Sequence, residues 1–176
     1  MPNDPTFNPP EGQTIPREQL ILFLNTGTKT DPTWSAVGKH VEESSAEYAW
    51  SEHTSQDILG DTHSTMKKPV VTQSFDGVKL SQGDAAYEML WTEGIKNQNP
   101  QALTNLDLLV VHLYAGTANT AAFAERYPQS MVRPTSIGGE GGGSIEMPLE
   151  ATFGGTRSTG TASRGTDGTI TFTAAA

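Results

Sequence analysis

The segment Asp107-Leu-Leu-Val-Val-His-Leu-Tyr114 constrains the fold more than any other stretch of this chain. It is nearly continuous in its apolar character and rich in β-branched and aromatic residues, so it reads as a central strand. A second run, Gln19–Leu24 (QLILFL), stops at Asn25-Thr26-Gly27-Thr28 and reads as the first core strand, buried on both faces. Both runs are far shorter than the roughly 20 apolar residues that span a bilayer. A β-rich protein that stays clear of the membrane is the expectation.

The chain's 176 residues fit one domain, since a domain of about 150 residues already buries about two-thirds of its unfolded surface. A hydrophobic content of 35%, with 18 Gly and 11 Pro, implies many turns and several long polar loops. Twenty acidic against 11 basic residues give a formal charge of −9, which repels polyanions and argues against sequence-specific DNA binding. Without cysteine, neither a disulfide framework nor a thiolate zinc site is available. Residues 1–18 carry five prolines by Pro16 and no apolar core of a signal peptide, so they read as an extended arm and not as an export signal. The arm is either a disordered terminus or a strap along a neighbouring subunit.

Between the two core strands, Trp34–Val37 reads as a short strand or turn after Asp31-Pro32-Thr33. Residues 44–75 read as a long protruding hairpin, with Glu47–Thr54 outgoing, Ser64–Phe75 returning and Gly60-Asp61 near the tip. Tyr48 and Trp50 share one face of the outgoing arm, and Thr54–Ser64 is expected to be a polar tip. Such ribbons are marginal alone and need a partner. A helix over 82–97 is expected to start at an N-cap Ser81 with Asp84 three residues on. Its core face would be Tyr87, Leu90, Trp91 and Ile95, laid across a sheet with Trp91 buried. Ala115–Glu125 is ambiguous between loop and short helix, and 115–143 as a whole is expected to be a flexible loop region. Met131–Ile137, Ser144–Phe153 and Thr169–Thr173 are further strand candidates. The fold class expected from these elements is mainly β with one flanking α-helix and a long protruding hairpin, in a single domain over 19–176.

No constellation supports catalysis. Gly138-Gly139-Glu140-Gly141-Gly142-Gly143 has no following Lys-Ser/Thr and precedes a strand-like segment, so it reads as a strand connection and not a phosphate loop. Asp57, Asp61 and His63 are metal-ligand types, but hairpin tips are commonly built from them. The four histidines are scattered and no serine sits in a nucleophile elbow. No catalytic residue, metal or cofactor is expected.

Charge carries the remaining pattern. Glu42, Glu43, Glu47, Glu52, Asp57 and Asp61 fall between His40 and Met66 with no Lys or Arg among them, and Lys67-Lys68 follow at once. Either this is a hydrophilic surface ribbon, or it presents acid to a channel or to a basic patch on the next subunit.

From about Gln19 to Phe172 the order of elements resembles the major tail tube proteins of long-tailed, non-contractile bacteriophages, and more loosely the tube proteins of contractile injection machines. The features that carry the resemblance are the opening strand, Trp34-Ser35-Ala36-Val37-Gly38, the acidic ribbon to Thr72-Gln73-Ser74-Phe75-Asp76-Gly77, one amphipathic helix and then several strands. The resemblance implies a β-sandwich or partly closed β-barrel flanked by the helix, six copies in a ring, rings stacked into a tail tube, and a virion location after assembly in the host cytoplasm. It also implies partners: the chain itself, a tape measure protein, and tail terminator or baseplate proteins. DNA would pass the lumen unbound, with the six acids facing the lumen or a neighbouring subunit and Lys67 and Lys68 facing the next ring. A monomeric β-sandwich binding or virion decoration module is the alternative.

Overall fold

The computed structural model describes residues 7–175. Its elements are β1 (Leu20–Asn25), β2 (Trp34–Val37), β3 (Glu43–Gln56), β4 (Thr62–Asp76), α1 (Ala85–Trp91), α2 (Pro100–Leu103), β5 (Leu106–Thr117), β6 (Ala121–Pro134), β7 (Leu149–Thr152), β8 (Ser158–Arg164) and β9 (Ile170–Ala174). The fold is mainly β with a flanking helix. Every strand pairing is antiparallel in the order β2-β1-β5-β6-β7-β4-β3, with β8 and β9 branching from β6, and the sheet does not close into a barrel.

The architecture turns on β6. Its first half, Ala122–Arg126, lies between β5 and β8, while Met131–Pro134 pair with β7. β7 and β8 thus follow one another antiparallel to β6, separated by a break at 153–157. Gly154 allows that break: a Cβ there would stand 2.4 Å from the Gln129 carbonyl oxygen. β6 therefore belongs to two sheets. Their inner faces meet in one core built from Leu22, Leu24, Phe75, Leu108, Val132 and Leu149, closed by Ala86, Tyr87 and Leu90 of α1. A fully buried Leu or Phe contributes roughly 1.5–3 kcal/mol over an exposed one, so these side chains dominate the stability.

The opposite face of β1 and β5 is covered too. Phe23, Leu109 and Val111 pack with Ala122, Ala124 and Ala162 in a second cluster flanked by Trp34 and Ile170. That is why QLILFL and DLLVVHLY lack alternation: both of their faces are buried. It also corrects the expectation of a flexible loop over 115–143. Ala115–Thr117 complete β5 and Ala121–Pro134 form β6, leaving the turn at 118–120 and the loop from 135. Alanine, the smallest side chain with a Cβ, fits beneath Phe23 and Leu109, so the buried face of β6 hides its period behind weakly apolar residues. β8 arises in the Gly/Thr-rich 154–168 stretch, where no strand was expected. There Gly160 lets β9 approach, since a Cβ would meet the Thr173 carbonyl oxygen at 2.1 Å.

The helix starts later than the Ser81 cap predicts. Asp84 is the N-cap: its carboxylate accepts from the Tyr87 amide at 3.4 Å, and Glu88 Oε1 accepts from the Gly83 amide at 2.8 Å. Tyr87 and Leu90 are buried and Ile95 packs at the core's edge. Trp91 is instead 38% exposed, because Ala86, Tyr87 and Leu90 already fill the helix–sheet contact and leave it on the flank, beside Leu80 and Gln82. A π-helical turn, Thr92–Lys96, continues α1, and Gln98 at φ 48° ends it.

The proline-rich arm begins outside the described residues. At Phe7 and Asn8 it touches its own chain, with the Asn8 amide donating to the Tyr114 carbonyl at 2.8 Å and Phe7 edge-on to Tyr114 at 5.5 Å between centroids.

Candidate assembly surface

β3 and β4 form the ribbon expected from the sequence, paired from Glu43↔Asp76 at its base to Gln56↔Thr62 at its end. Fourteen residues at about 3.3 Å each give it a length of about 45 Å. Beyond Tyr48 every residue of β3 is exposed. The pairing shifts register between Ala49 and Ser51, so that Trp50 faces both Lys68 and Pro69. Proline has no N–H to donate to the ladder, and a β-bulge is where a paired strand tolerates it.

Register divides the side chains between two faces. Ala46, Tyr48, Trp50 and Glu52 share one face with Met66, Val71, Gln73 and Phe75; Glu43, Ser45, Glu47, Ser51 and His53 share the other with Lys67, Thr72 and Asp76. Glu47 and Glu52 therefore lie on opposite faces of the ribbon. Glu43 stands directly across from Asp76. Glu42 precedes the ribbon and pairs with Lys79 at 2.5 Å, which holds its carboxyl below the usual range. Lys67 stands opposite Ser51, and Lys68 faces the cleft described below. Neither lysine has an ion-pair partner among the described residues.

The tip is a built turn. Asp57 Oδ1 accepts from the Leu59 amide at 2.9 Å and the Asp61 amide at 3.0 Å, its Oδ2 meets His63 Nε2 at 3.2 Å, and Gly60 supplies φ 90°. These bonds, first that from His63, hold the Asp57 carboxyl below its ordinary value. Among the described residues no three metal-ligating side chains converge, and Asp57 and His63 serve the turn. Two apolar residues crown it: Ile58 is fully exposed and Leu59 is 83% exposed. In sequence the stretch reads as polar, because Ile58-Leu59 is a lone apolar pair among Thr, Ser, Gln and Asp.

At the ribbon's base a cleft of about 610 Å³ opens between Tyr48, Trp50, Val71 and Pro69 on one side and Tyr127 and Phe153 on the other. Trp50, 55% exposed, forms its outer lip. Glu125 closes the floor, buried, accepting from Tyr127 Oη at 2.8 Å and from Arg157. His112 Nε2 lies 4.0 Å from the same carboxylate, and its Nδ1 is 2.7 Å from Tyr114 Oη. Burial holds the His112 imidazole below its ordinary pKa, opposed by Glu125 and aided by Arg157. Burial likewise pushes the Tyr127 phenol up, with the bond to Glu125 adding to it. Only Tyr48 and Trp50 of this cleft were singled out by alternation. Glu125, Tyr127, Phe153 and Arg157 arrive from β6 and the β7–β8 break, a juxtaposition no local pattern signals.

No family model matches the chain, and no curated protein does. Among solved structures it is similar to the sheath/tube terminator of PVC, an extracellular contractile injection system, in the extended state, with TM-score 0.51 and 12% identity over 85% of this chain and 99% of that one. The tube-terminating cap of the anti-feeding prophage gives TM-score 0.47 at 17% identity over 96% of each chain. The PVC sheath-tube complex in the extended state gives 0.46 at 12% identity over 94% of this chain and 95% of that one. At 12% identity the first likeness is one of fold.

Proposed function

We propose that this chain is a structural subunit of a phage-tail-like tube, working by self-assembly and without an active site. The observation that carries the reading is the ribbon: half of it lies beyond any core, yet it displays Trp50, Met66, Ile58 and Leu59 to solvent. Apolar groups arranged so along a protruding two-stranded sheet are covered when copies pack side by side, which also removes the exposed strand edges. The shared fold with an injection-system terminator supports the broad class, a tail structural protein. Six copies per ring, stacking into a siphovirus-like tube, and tape measure, terminator or baseplate partners are the finer reading carried by the resemblance of the sequence.

In such a tube the two ribbon faces take different roles. The face with Tyr48, Trp50 and Met66 turns to the neighbouring subunit and takes Glu52 with it. The face with Glu43 and Glu47 lines the lumen. At about 0.15 M salt the Debye length is roughly 8 Å, so carboxylates on the wall repel a passing duplex at close range without binding it.

Negative-stain electron microscopy and sedimentation of the full chain test the reading, against a variant lacking residues 55–63. The full chain forms rings or tubes; the deletion keeps its fold and loses assembly. A full chain that forms neither rings nor tubes overturns the proposal, and undiminished assembly of the deletion removes the ribbon tip from it. The exposed Tyr48 and Trp50 at a cleft favour one second reading, a monomeric binding or virion decoration module, for which the full chain stays monomeric.

A further inference from the structure

Resting on the self-assembly reading, we infer that the ribbon tip of one copy docks into the base cleft of the next: Ile58 and Leu59 enter between Trp50, Tyr48 and Phe153, and Asp61 meets Lys68. Three observations converge on this pairing. The tip offers the two most exposed large apolar side chains of the described residues, on a turn already ordered by Asp57, so little conformational freedom is lost on docking. The cleft offers an aromatic-walled space of about 610 Å³, with charged groups only at its floor and rim. Charge is complementary as well: the tip carries Asp57 and Asp61 with no Lys or Arg, whereas the cleft carries Lys68, without an ion-pair partner among the described residues, and Arg157, half-exposed beside Glu125.

A ribbon cannot fill its own cleft. The tip stands about eight residues beyond Tyr48, or about 25 Å along a paired sheet. The contact is therefore between copies, tip to base, a geometry that can repeat around a ring or along a filament. Asp61 is the tip residue free to reach across, since the Asp57 carboxylate is committed to the turn and His63.

The natural chain lacks cysteine, so single-cysteine variants report contacts directly. L59C and T156C, mixed under mild oxidation, are expected to give a covalent dimer that neither variant gives alone. L59D is expected to abolish assembly while the monomer keeps its unfolding midpoint. D61K and K68D each weaken assembly, and together they restore it. Assembly that survives L59D, with no mixed cross-link, assigns the cleft to another partner; it overturns the docking but leaves the self-assembly reading standing. Cross-linking of L59C alone shows tip-to-tip contact and overturns the docking too. A full chain that neither assembles nor cross-links overturns both.

Discussion

Replacing Arg126 by alanine tests the energetics of the fold most severely. Asp107, the second residue of β5, has its side chain 2% exposed. It is held by Arg126 through Nε at 3.0 Å and Nη2 at 2.6 Å, and by the neutral Asn25 amide at 3.3 Å. The same guanidinium donates to the Lys29 carbonyl at 3.2 Å and lies 5.7 Å from the Trp34 ring centroid. One side chain on β6 thus ties β5, the β1–β2 loop and β2 together. Removing it leaves a desolvated carboxylate with one weak donor. Breaking a buried ion pair from one side costs about 3–5 kcal/mol, with the lost cation–π contact included in that range. For a domain of this size about 1 kcal/mol moves the melting point by roughly 2–4 °C, so R126A should melt about 6–20 °C lower. Urea unfolding followed by tryptophan fluorescence, to which Trp34 contributes, measures the loss. The apolar double variant D107L/R126M should recover most of it, because no unpaired charge remains. An R126A loss below about 1 kcal/mol, or a double variant as damaged as the single, would refute this account.

Three further outcomes are expected. Since burial lowers the His112 pKa in the folded chain, the unfolded chain binds a proton first as pH falls below about 6.5. Stability should therefore drop below that pH by up to about 1.4 kcal/mol per unit, and H112Q should flatten the drop; an unchanged slope of denaturation midpoint against pH counts against it. G160A places a methyl 2.1 Å from the Thr173 carbonyl, so it should cost about 1–3 kcal/mol and release the amides of β9 to hydrogen exchange, while unchanged protection over 170–174 contradicts the close approach. D84A should cost about 1 kcal/mol in urea denaturation by removing the cap of α1, whereas S81A should cost almost nothing; the reverse ranking restores the earlier cap assignment.

Several features were legible in the residues themselves. QLILFL and DLLVVHLY are core strands because unbroken apolar character in so short a run demands cover on both faces. The ribbon was legible because two long polar strands flank Gly60-Asp61, whose chemistry suits a tight turn. Those signals are local: period, turn residue and run length lie within a few neighbours. The shared role of β6 was not legible, because Ala122 and Ala124 encode burial only through the larger side chains of β1 and β5 packed over them. Trp91 belonged to the apolar stripe by spacing, yet its burial depended on how wide a face the sheet accepted, and three residues filled it.

The division holds for the assembly surface as well. The sequence by itself determined that an acidic ribbon leaves the domain, since that needs only alternation and a turn. Tertiary structure decided that Trp50 sits across a bulge from Pro69, and that Phe153, Tyr127 and Arg157 complete a cleft beside it. Its cause is the pairing of edges far apart in the chain, whose free energy belongs to both partners and is written in neither segment alone.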